Sequence, residues 1–135
     1  MAKVIYILSG GCTDRALTGL EERIKSGKIN PGDYNQAELM YEEIYDSHNI
    51  KKPSNYPLKF YSNYGKKQIW VSGVTAGYRG TGPCGSITAL RMMGFSVQSD
   101  EVFNLPNGEK IVLKKWQNGV APLVLLHFWL IFKLR

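Results

Sequence analysis

The chain has 135 residues, with 17 Lys and Arg against 11 Asp and Glu, a formal net charge of +6 at pH 7. That length is one domain, and 44% apolar with 21% charged residues excludes a disordered chain or a fibrous repeat. Two cysteines and two histidines are too few for a zinc site on the usual paired spacings.

In chain order, Val4 to Leu8 is the first expected strand. Its apolar run is too short for the core of a secretory signal. With Cys12 and Cys84 taken as free thiols, the expected compartment is the cytoplasm. Thr13 or Asp14 then caps a helix whose Ala16, Leu17, Leu20 and Ile24 share one face, and Gly27 ends it. Asn30-Pro31-Gly32-Asp33 is a turn. A second helix is expected beyond it, with Ala37, Met40, Tyr41, Ile44, Tyr45 and His48 on the apolar face and Glu38, Glu42, Glu43 and Asp46 on the other.

Residues 49–57 read as a loop. Leu58 to Ser62 and Gln68 to Ser72 read as a hairpin around Asn63-Tyr64-Gly65-Lys66. A third helix is expected from Pro83 to Met93, with Pro83 in the first turn, Gly94 as the left-handed cap and Phe95 folding back on Leu90. Asp100 to Leu105 and Lys110 to Trp116 read as a second hairpin about Asn107-Gly108. The expected fold class is therefore α+β: a mainly antiparallel sheet built from two hairpins plus an N-terminal strand, packed with about three helices. Residues 1–117 form the single expected domain.

Residues 118–135 stand apart as an apolar C-terminal tail. Its run from Val120 to Phe132 is broken only by His127. It falls short of the roughly 20 residues a spanning helix needs. Three readings stay open: a buried terminal element that can form a homo-oligomer interface, a membrane-surface anchor, or an end unrelated to the domain.

The stretch from Gly73 to Gly85 spends five glycines in 13 residues on a strand-to-helix loop. Glycine lets a ligand approach the backbone closely, and the helix start offers unpaired N–H groups carrying partial positive charge. Arg79 adds a bidentate cation, Thr81 and Ser86 add hydroxyls, and Tyr78 adds a stacking ring. Together with Gly80, Gly82 and Gly85 they form a candidate cradle for a phosphate. Ser9-Gly10-Gly11 is a shorter loop of the same kind, and the two share a ligand if they meet at one sheet edge. The match to known loops is partial. Gly80, Gly82 and Gly85 have the relative spacing of G-x-G-x-x-G, but Pro83 lies inside it. The Gly-Lys-Ser/Thr ending of a nucleoside-triphosphate loop is missing.

Catalytic constellations are weak. Cys84 near a helix start lacks a convincing histidine base, no Gly-x-Ser-x-Gly elbow surrounds Ser72 or Ser86, and no cofactor or metal is called for. The leading expectation is binding of a phosphate-bearing small molecule, a nucleotide above others, without catalysis. One alternative is an RNA- or DNA-binding module using the basic, aromatic-rich hairpins. The other is a small nucleotide-processing transferase or hydrolase with Cys84 or Ser86 reactive. In size, Lys/Asn/Tyr-rich character and lack of catalytic groups the chain resembles small proteins of phage or mobile elements, which fits sequestration of a nucleotide signal.

Overall fold

The computed structural model describes residues 2–41, 43–45, 48, 51–53 and 56–115; the tail at 118–135 and the boundary before it lie outside the described residues. The elements run β1 (Lys3–Ile7), α1 (Thr13–Lys25), β2 (Tyr34–Met40), β3 (Glu43–Tyr45), β4 (Lys51–Pro53), β5 (Leu58–Ser62), β6 (Lys67–Val71), α2 (Thr81–Met92), α3 (Ser99–Phe103) and β7 (Lys110–Lys114). Five strands make one mixed sheet in the order β1-β6-β5-β2-β7, and β3 pairs with β4 in a separate antiparallel ribbon. Only β1 and β6 run parallel; the other three pairings are antiparallel. The fold is α+β.

The sheet has one helix-covered face. Ile7, Ile69, Val71, Leu58, Phe60, Ala37 and Leu39 alternate along four strands at 1% exposure or less, and meet Leu20 of α1, Leu90 of α2 and Val102 of α3 in one core. Burial of a side chain such as Leu or Phe contributes about 1.5–3 kcal/mol. The Phe60 ring packs against Phe95 at 5.7 Å. Phe95 is set there by the end of α2, where Gly94 turns left-handed at φ 85 and the Phe95 N–H returns to the Leu90 carbonyl at 2.9 Å. Among the described residues no helix is long and apolar enough to cross a membrane.

Two expected elements are replaced. The second helix does not form: Tyr34–Met40 is the strand β2, and β3 follows it. The helical reading leaves Leu39 off its apolar face, whereas Leu39 is 1% exposed and Met40 lies on the opposite side of the strand. Ala37 and Leu39 alternate with Gln36 and Glu38 at the strand period. β2 is flanked on both sides, by β5 and by β7, so ladder bonds to two neighbours outweigh a weak local helical preference. A register irregularity between Tyr34 and Gln36 brings Tyr34 into the core as well and hides the alternation.

The second hairpin is also absent. Asp100 to Phe103 lies in α3, and β7 pairs with β2 instead. Asp100 and Glu101 sit in the first turn of α3, where the helix dipole favours carboxylates. The turn at Asn107-Gly108 is real, with Gly108 at φ 85. It returns the chain to Tyr41, whose carbonyl accepts the Gly108 N–H at 2.6 Å and whose N–H reaches the Glu109 carbonyl at 3.0 Å.

Candidate functional site

The parallel pairing of β1 with β6 decides where the two glycine loops go. Ile7 lies opposite Val71, so both strands end side by side. The loop after β1 leads into α1 and the loop after β6 leads towards α2.

The short loop is built around Ser9, which is 2% exposed. The Ser72 hydroxyl donates to the Ile7 carbonyl at 3.0 Å. That uses its one proton, so Ser9 Oγ is the donor in the 3.1 Å contact between the two hydroxyls. Ser9 Oγ also accepts the Gly11 N–H at 3.1 Å, and the Ser9 N–H donates to Ser72 Oγ at 3.1 Å. The Ser9 hydroxyl is thus spent on locking the loops together. Gly10 and Gly11 are exposed and left-handed, at φ 60 and 83. They carry the chain to Cys12, whose side chain makes no capping bond to α1.

The long loop threads behind the first. Thr13 Oγ1 donates to the Gly73 carbonyl at 2.7 Å. The Gly77 N–H donates to the Val102 carbonyl at 2.9 Å. A Cβ on Gly85 would lie 2.3 Å from Thr13 Cγ2, and one on Gly82 would lie 2.2 Å from Thr75 Oγ1. Both positions are buried, so these two glycines serve the close approach of α2 to its neighbours. Ser86 is fully buried, and its hydroxyl donates to the Thr75 carbonyl at 2.6 Å.

The remaining residues of the expected cradle face outward. Gly80 begins α2 without a side-chain cap, and Thr81 and Cys84 are exposed. Tyr78 is 48% exposed; its ring lies against Gly80 and its hydroxyl accepts from Thr75 Oγ1 at 3.0 Å. Arg79 leans towards α3. Its Nη2 is 3.7 Å from Asp100 Oδ1, and its guanidinium is 5.3 Å from the centre of the Phe103 ring. Both charged groups are mostly solvated, so the pair holds Arg79 weakly.

Sequence reasoning missed Arg15. Its guanidinium stands 3.8 Å from where a Cβ on Gly10 would sit, over the short loop. Its position as the third residue of a helix that follows a Gly-Gly turn is the available signal. The outward surface therefore combines two adjoining helix starts without side-chain caps, an exposed Gly10-Gly11 turn, and guanidinium groups from Arg15 and Arg79. Asp14, in the first turn of α1, adds one carboxylate. No group of three or more His, Cys, Asp or Glu able to hold a metal occurs among the described residues.

No family model, curated protein or solved structure matches the chain.

Proposed function

We propose that the protein binds a phosphate-bearing small molecule, a nucleotide above others, at the paired loops, and sequesters it without reaction. The observation that carries this reading is the side-by-side placement of two helix starts, α1 and α2, neither capped by a side chain. The first N–H groups of a helix have no intrahelical partner and carry partial positive charge, which favours an anion. At α1 these are the amides of Thr13, Asp14 and Arg15, because the Ala16 N–H is the first to return, to Cys12. At α2 they are Thr81 and Gly82. Pro83 has no N–H, and the Cys84 N–H returns to Gly80.

In this reading the phosphates lie over Gly10-Gly11 and Gly80-Thr81. Arg15 and Arg79 pair with their charge, and Tyr78 closes over the sugar or base. Ser9, Gly82, Gly85 and Ser86 hold the loops in place. The compartment that goes with the reading is the cytoplasm, where Cys12 and Cys84 stand as exposed thiols.

Amide chemical-shift mapping tests the site. Titration with nucleoside mono-, di- and triphosphates is expected to move the amides of Gly10, Gly11, Thr13–Arg15 and Thr81. Shifts that miss both loops would contradict the assignment.

A further inference from the structure

The three helices pack on one face of the sheet, and the opposite face carries a different chemistry. Reading across it, Tyr6 pairs with Trp70, Trp70 with Lys59, Lys59 with Glu38 and Glu38 with Val112. Tyr6, Tyr56 and Trp70 form an aromatic cluster with ring centres 5.5–5.7 Å apart. The cluster is held in a fixed orientation. Trp70 Nε1 donates to Gln68 Oε1 at 2.9 Å, and Lys59 Nζ lies 4.3 Å from the Trp70 ring centre. Tyr6 remains 47% exposed.

A second aromatic station stands in the turn between β5 and β6. Tyr64 is at φ 61 and 98% exposed. A bulky residue in the left-handed region is strained, and a ring left in water recovers nothing by packing. Neither backbone nor core explains a tyrosine where glycine fits better. The turn borders a shallow groove of about 420 Å³, lined by Gln36, Glu38, Tyr61 and Gln68. The charge on this face is unbalanced: Lys59, Lys110 and Lys114 stand against Glu38, which Lys110 approaches at 3.5 Å.

We propose that this outer face binds single-stranded nucleic acid, its bases stacking on Tyr64 and on the Tyr6–Tyr56–Trp70 cluster and its phosphates running along Lys59, Lys110 and Lys114. Stacking on exposed rings beside a cationic track is how unpaired bases are held without sequence readout. A duplex offers no unstacked base, and an acidic peptide offers no base at all. The site is separate from the paired loops and does not rest on them.

The test is fluorescence anisotropy of the full chain with a labelled oligothymidylate of about twelve nucleotides. Binding is expected at about 50 mM salt, weakening steeply towards about 200 mM. A duplex of the same length and polyglutamate should compete poorly. Tyr64→Gly relieves the strained backbone, so the variant should melt no lower than the parent while binding at least about fivefold more weakly. Unchanged affinity in Tyr64→Gly, equal competition by polyglutamate, or no binding at low salt would each overturn the proposal.

Discussion

At the scale of single residues, the loops are governed by contacts too close for a side chain. Thr13 is the clearest case. Its Oγ1 is tied to the Gly73 carbonyl, so its Cγ2 cannot rotate away from Gly85 without losing that bond. Alanine at position 85 would gain about 1 kcal/mol of helix propensity but force an overlap costing about 1–3 kcal/mol. Gly85→Ala should therefore lower stability, by up to about 2 kcal/mol, in chemical denaturation. Thr13→Ser removes the methyl and keeps the hydroxyl, so the double variant should recover most of the loss. Additive losses in that cycle would place the strain elsewhere.

Titration belongs to the same scale. Burial, with the Asp33 carboxylate nearby, raises the Tyr34 hydroxyl above its usual value. Burial and Glu38 do the same for Tyr61. The folded chain thus holds these protons more tightly than the unfolded chain. The resulting stability is full below about pH 10 and is lost as pH climbs through the raised folded values. Lys115 works in the opposite sense. Burial lowers it, so its charged form destabilises the fold and stability rises as pH approaches the unfolded value. Tyr34→Phe should flatten the alkaline fall in melting temperature, and an unchanged slope would contradict this assignment.

At the scale of elements, the decisive object is β2. Gln36 lies on the outer face, opposite Tyr61 on one neighbour and Lys114 on the other. In a strand, Gln36→Thr should be neutral or stabilise by up to about 0.5 kcal/mol, because a β-branched residue suits the pleat. In a helix the same change costs stability. The sign of the measured shift tells the two apart.

The elements most legible in the sequence were those with local punctuation. α1 has its Gly-Gly entry and Gly27 exit, α2 has Pro83 and Gly94, and β5 and β6 flank a short polar turn. β2 was not legible, because Ala37, Met40, Tyr41 and Ile44 satisfy the helical period and its two partner strands are distant in sequence. β7 was legible as a strand but not its partner, since a Gly-containing turn marks a reversal without saying which strand receives it. The parallel pairing of β1 with β6 has no local signature either, and it is what places the two glycine loops together. The glycines and Arg79 could be read from composition. The internal duties of Ser9 and Gly85 depend on contacts across some 60 residues of chain or more, with Ser72 and Thr13, whereas those of Gly82 and Ser86 against Thr75, and the place of Arg15 over Gly10, are local contacts that carry no motif.

At the scale of the whole molecule, the net charge of +6 resolves into local patterns. Around the helices, Asp14, Glu21, Glu22, Asp100 and Glu101 balance Arg15, Arg23, Lys25, Arg79 and Arg91, so that side of the molecule carries no large net charge. On the outer sheet face three lysines oppose one carboxylate. The two regions therefore predict different salt behaviour: a modest dependence for a small ligand held by helix starts, and a steep one for a polymer whose binding releases many counterions.

The anion site at the paired loops is tested by the melting temperature of the full chain against a nucleotide panel, repeated with Arg15→Ala and Arg79→Ala. A ligand that binds only the folded state stabilises by mass action, by about 2.7 kcal/mol at a hundredfold excess over its dissociation constant. At millimolar concentration at least one nucleotide should raise the parent's melting temperature. Each arginine variant should melt like the parent when unliganded and lose most of that rise. No rise with any nucleotide, or a rise that survives both substitutions, would mean that the paired loops do not bind a nucleotide.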